Sequence, residues 1–179
     1  MPQCTAITSI SKSCANNMGG IRAVWLWDME DKASGTFDET TTYSWTAYQL
    51  AGSPALLPEG YEFTRNSSNY VEETAIDLVA GSSYVTQTIT LNFSRREALK
   101  SQAIKLLGEG QRYLGALVLD SNGLYWLFEE LQLSATGEGS GTARADGSKY
   151  SVTLMAENLN LAGTVATADA EDLITLGGF

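Results

Sequence analysis

The sequence predicts a mainly β domain of the α+β class: an antiparallel β-sandwich or barrel with one flanking helix over about Ser94 to Leu107. Three observations lead there. Tyr84 to Phe93 alternates, with Val85, Ile89, Leu91 and Phe93 on one face and Thr86, Thr88, Thr90 and Asn92 on the other, the pattern of a half-buried strand. Ser94-Arg-Arg-Glu97 reads as a capping box, and behind it Leu99, Ala103, Leu106 and Leu107 form one apolar stripe of a helix that Gly108 and Gly110 end. Tyr113 to Leu119 and Leu124 to Phe128 are apolar runs around the turn signal Ser121-Asn-Gly123, a hairpin buried on both faces. One helix among hairpins argues against a doubly wound sheet.

From the start of the chain, the first residues carry neither a basic region nor a continuous apolar segment, so no signal peptide is expected. Cys4 and Cys14 are the only cysteines, read either as free thiols or as a disulfide closing the N-terminal loop, and structural in both cases. Ile21 to Trp27 is a strand with Trp25 and Trp27 on one face and Val24 and Leu26 on the other, both covered. Met29 to Thr42 reads as a long surface loop, Tyr43 to Leu50 as a short strand, and Gly52 to Gly60 as loop by its prolines and glycines. Tyr61 to Arg65 and Tyr70 to Ile76 are expected to pair as a hairpin around Asn66 to Asn69.

After the central helix and hairpin, Gly137-Glu-Gly-Ser-Gly141 is either a flexible loop or an edge strand that bends. Asp146-Gly147 is a hairpin signal, and Tyr150, Val152, Leu154 and Ala156 alternate in a final strand. The tail beyond Leu161 lacks periodicity and is expected to order only where a neighbour holds it. The organisation expected is residues 1–60 as a strand and long loop of the same domain, 61–163 as the core with its helix, and 164–179 as a C-terminal arm. Seven to nine strands and one helix are anticipated.

The chemistry the residues permit is narrow. With no histidine among 179 residues, His-dependent triads and imidazole zinc sites are excluded. Glu72-Glu73 and Glu129-Glu130 are strand neighbours pointing to opposite faces, poorly placed to flank one bond. The glycine-rich segment lacks the Lys-Ser/Thr of a phosphate loop, and the four tryptophans suit core packing better than a sugar platform. No enzyme activity, cofactor or metal is expected. The longest apolar runs are too short to span a bilayer, so no membrane partner is expected.

Net charge is −10, unevenly spread. Ser94 to Arg112 carries Arg95, Arg96, Lys100, Lys105 and Arg112 against Glu97 and Glu109, a balance of +3, while the remainder stands at −13. A positive helix on a negative molecule is either an ordinary solvated face or a subunit interface built from those five cations. Nucleic acid is the weaker partner, since so many carboxylates surround them.

The order of strand, helix, apolar hairpin, glycine-rich loop, Asp146-Gly147 and final strand with Tyr150-Ser-Val-Thr-Leu154 resembles phage tail tube proteins and the related secretion-system tube family, over about Tyr61 to Gly163. The resemblance implies a virion protein of the tail, made in the host cytoplasm, whose copies form stacked homohexameric rings. Its partners would be itself and other virion proteins, with DNA passing through the lumen unbound. On that reading Thr86, Thr88, Thr90 and Asn92 would face the lumen, joined by the acidic Glu72 and by Glu129 or Glu130. The competing expectation is a capsid auxiliary or decoration module without catalytic activity.

Overall fold

A computed structural model of the chain describes residues 10, 13–15, 17–52, 56–63, 67–143 and 145–179. The side chain of Glu138 is outside that description, as are Cys4 and the Arg65-Asn66 end of the expected hairpin. Ten strands and two α-helices are present among the described residues, more than the seven to nine strands and one helix anticipated, and the fold is mainly β with a flanking helix as predicted.

The strands are β1 (Ile21–Asp28), β2 (Lys32–Asp38), β3 (Ser44–Leu50), β4 (Glu59–Tyr61), β5 (Asn69–Asp77), β6 (Ser82–Ser94), β7 (Leu114–Asp120), β8 (Tyr125–Gly139), β9 (Lys149–Asn158) and β10 (Gly163–Val165), with α1 at Ala98–Leu107 and α2 at Thr167–Leu176. One sheet runs β2-β3-β10-β8-β7-β1-β4 and a second runs β5-β6-β9-β8, so the long β8 belongs to both. Every pairing is antiparallel except β10 with β3.

The strand that serves two sheets has to bend, and the bend is local. Leu114 pairs with Leu131 and Ala116 with Phe128, so Glu129 and Glu130 together face the single residue Gly115, a β-bulge. Glu130 takes a left-handed φ of 58°, a strained conformation for a residue with a Cβ. Gly115 is required there: a Cβ would lie 2.2 Å from the Trp27 indole.

Alternation then divides the interior into two cores. Val24, Leu26, Ala116, Val118 and Phe128 face Ile89, Leu91, Phe93, Val152 and Leu154 across the space between the sheets, closed at one end by Ile104 and Leu107 of α1. The other face of the first sheet presents Trp27, Tyr48, Leu117 and Leu127 to Ala170 and Leu173 of α2. Trp27 and Val24 thus serve different cores from opposite faces of β1, as the sequence pattern predicts.

Several expectations are corrected. Met29 to Thr42 is no loop: β2 lies within it and pairs with β3, placing Phe37 beside Trp45. In place of the expected hairpin around Asn66 to Asn69, the described residues show β4 paired with the edge of β1, where Tyr61 reaches Phe93, and β5 paired with β6 across a turn at 78–81. Of the two readings of the glycine-rich segment, the edge strand is the one found, paired with β9 as far as Gly139. The tail forms α2 and a C-terminal segment whose Phe179 exchanges backbone hydrogen bonds with Tyr48.

The helix also departs from its prediction. Ser94 is still paired with Lys149 as the last residue of β6, so it cannot cap, and Arg95 turns the chain with a φ of 61°. Helix α1 has ten residues and starts at Ala98, with Glu97 at the cap position but no side-chain cap bond. Its buried face is Ile104 and Leu107; Leu99 and Leu106 of the predicted stripe are 78% and 46% exposed. Tyr150 fixes this rotation, because its hydroxyl lies 2.6 Å from Ser101 Oγ and donates to the Glu97 carbonyl at 3.1 Å.

Candidate functional site

Two surfaces hold the residues singled out in the sequence. The first is the outer face of the second sheet. Register places Thr86 between Glu73 on β5 and Glu157 on β9, Thr88 between Val71 and Met155, Thr90 between Asn69 and Thr153, and Asn92 beside Ser151. The four predicted residues are half-buried and lie in one file on β6. Hydroxyl and amide groups run along the middle of this face, and its charges are the row of Glu73 and Glu157, with Asp77 beyond it at the turn end and Lys149, opposite Ser94, at the other end. No strand pairs with the outer edge of β5 or of 132–139 among the described residues, so the four-stranded sheet is open on both sides.

Glu72 and Glu129 do not share that face, contrary to expectation. Glu72 is opposite Gln87, on the side that faces the core. Its carboxylate accepts from the Gln87 amide at 2.8 Å and from the Ala162 backbone N–H at 2.6 Å. Gln87 in turn accepts from Asn158 Nδ2 at 2.8 Å, and the same Asn158 group donates to the Glu129 carbonyl at 3.2 Å. This network joins β5, β6, β9 and β8 beneath the sheet, and Gln87 is only 2% exposed. The alternation that assigned Val85, Ile89 and Leu91 to the core puts Gln87 there as well, which was the available sign that a polar partner would be needed.

The Glu129 side chain, 20% exposed, forms an ion pair with Lys32 of β2. The Lys32 ammonium lies 5.3 Å from the ring centroids of both Trp45 and Tyr48. Burial, and then the nearby Glu129 charge, push the Tyr48 phenol far above its ordinary value. Glu129 therefore ties β2 to the bulge and is not on the threonine face.

The second surface surrounds α1. Arg95 pairs with Glu97 at 3.3 Å, and Lys100 lies 3.8 Å from the same carboxylate while donating to the Ser94 carbonyl at 2.9 Å. Arg112 pairs with Asp28 at 3.2 Å on the other side of the helix. Arg96 lies over the Tyr150 ring at 5.7 Å, and with Lys105 it borders a groove of about 310 Å³ between α1 and the second sheet. Hydrogen bonding from Ser101, chief among several contacts, draws the Tyr150 phenol below its ordinary value. The five cations are thus split: three hold the helix ends within the chain, while Arg96 and Lys105 flank the groove.

No group of three or more histidine, cysteine or acidic side chains among the described residues could hold a metal. No described helix is long and apolar enough to cross a membrane. All four tryptophans pack against one core or the other. No protein family model matches the chain, and no curated protein matches it in sequence.

Proposed function

We propose that this chain is a structural subunit of a phage tail tube, assembling through its second sheet into stacked rings around a lumen that conducts DNA. The observation that carries the reading is the face of Thr86, Thr88, Thr90 and Asn92, continued by Ser151 and Thr153, on a sheet whose two outer edges have no strand paired to them among the described residues. An open sheet of this kind is a template for pairing, and copies that join β5 of one to 132–139 of the next close a ring without edges.

Turned inward, such a face suits a conduit. The short uncharged side chains along β6 offer DNA phosphates no cation to hold, Lys149 stands alone at the end of the face, and the Glu73 and Glu157 row repels phosphate, so DNA slides without adhering. The net charge of −10 extends the same repulsion through the molecule. The resemblance over Tyr61 to Gly163 supports the same reading, with six copies per ring. Electron microscopy of the concentrated purified protein tests it: hollow rings or tubes are expected, and uniform small particles would favour a decoration module instead.

A further inference from the structure

The β5–β6 hairpin outruns the sheet to which it belongs. Pairing of β6 with β9 stops at Val85 and Asn158, while β5 and β6 continue together through Ala75–Tyr84, Ile76–Ser83 and Asp77–Ser82. Three rungs and a turn therefore project with no third strand, and a two-stranded arm of this kind is only marginally stable in water. Its turn is already specified by two residues. Asp77 accepts from the backbone N–H of Val79 at 2.8 Å and of Ala80 at 3.0 Å, and Gly81 supplies a φ of 68°. The side chains of Leu78 and Val79 have no part in that chemistry, yet they stand at the tip 90% and 99% exposed, with Ile76 behind them at 66%.

A complementary surface lies at the opposite end of the same sheet. The groove under α1 is lined by Ile104, Leu133 and Tyr150, with Arg96 and Lys105 at its border and no carboxylate among the described side chains of its lining. Its volume of about 310 Å³ leaves room for two aliphatic side chains. Charge matches as well as shape: residues 69–94, which form the arm and its strands, contain Glu72, Glu73 and Asp77 and no cation. The arm leaves the sheet at the Val85 end of β6, and the groove lies by its Phe93 end, next to Tyr150 and Ser151. Moving one copy along the strand direction brings its tip towards the groove of the next.

We infer that the arm tip, Leu78 and Val79, docks into the Arg96–Lys105 groove of a second copy, head to tail. The contact is heterologous, so it propagates into a stack instead of closing a dimer. It rests on the self-assembly reading above and adds the axial contact to it.

The test uses two variants of the full chain and their mixture. Leu78→Asp with Val79→Asp alters only exposed side chains, so the thermal unfolding midpoint stays at the wild-type value, while the concentration needed for elongation rises about tenfold or more. Lys105→Glu, also exposed, does the same from the groove side. Mixed in equal amounts, the two retain one sound tip-to-groove contact and give stacks two layers deep and no deeper. Wild-type protein that elongates while both variants elongate equally well overturns the arm contact and leaves the tube reading standing. Wild-type protein that never forms ordered assemblies at high concentration overturns both.

Discussion

Glu72 and Gln87 face each other across β5 and β6, and the Gln87 amide donates to the Glu72 carboxylate at 2.8 Å on the inner side of the sheet, where Gln87 is 2% exposed. The neighbouring Glu73 points to the opposite side, beside Thr86. One residue of an acidic pair is therefore structural and the other lies on the proposed conducting face.

This difference is measurable as stability. Glu72→Ala leaves the Ala162 N–H without its acceptor and the Gln87 amide with only the longer bond to the Asn160 carbonyl at 3.3 Å, at a cost of about 1–3 kcal/mol. Glu73→Ala should stay within about 0.5 kcal/mol of wild type. Urea unfolding of the two variants decides the matter, and equal midpoints would mean that the network contributes nothing.

The ion pair of Lys32 and Glu129 lies between the extremes of buried and surface pairs, with side chains 24% and 20% exposed. Glu129→Gln leaves the ammonium over Trp45 and Tyr48 without its counter-charge and should cost about 1–3 kcal/mol, below the range for a fully buried pair. Glu129→Lys, which adds a second cation, should cost more. A Glu129→Lys protein as stable as Glu129→Gln would show that the charge itself is unimportant there.

Much of this architecture was legible in the sequence. Alternation in β6 and β9 identified the faces that form the first core, and the apolar run of β7 and Val24 against Trp25 and Trp27 anticipated strands covered on both sides. The misses have a common cause, since local pattern does not include pairing partners. Ser94 has the chemistry of a cap but is used by the ladder with Lys149. The tail lacks a strong stripe, yet burial of Ala170 and Leu173 against Tyr48 and Trp27 stabilises α2. Glu129 was assigned to the wrong surface because the bulge at Glu130 resets the side-chain alternation of β8.

Acid should loosen the β2–β3 turn in a defined window. Backbone N–H groups of Thr41 and then Thr40, both at 3.0 Å, hold the Asp38 carboxyl at about 2. Because the folded value is lowered, the stabilisation is fully present above the ordinary carboxylate range and declines as pH falls through it, disappearing below about 2. Carbon NMR of the Asp38 carboxyl should show its midpoint near that value. A midpoint in the ordinary range would mean that the turn bonds do not persist in solution.

Charge on the outer face of the second sheet should govern the passage of DNA. Replacing Glu73 and Glu157 with Lys turns the repelling row into phosphate contacts, and each contact adds salt-dependent affinity. Particles carrying both changes should assemble normally and eject DNA more slowly, with the rate recovering as salt is raised. Ejection at the wild-type rate in low salt would remove these residues from the conduit.

The arrangement of copies can be read directly from a three-dimensional reconstruction of the assembled protein by electron cryomicroscopy. The account predicts a hollow ring in which Thr86, Thr88, Thr90 and Asn92 line the lumen and β5 of each copy lies beside 132–139 of its neighbour. A map in which that face is turned outward, or in which the two edges remain apart, would contradict it.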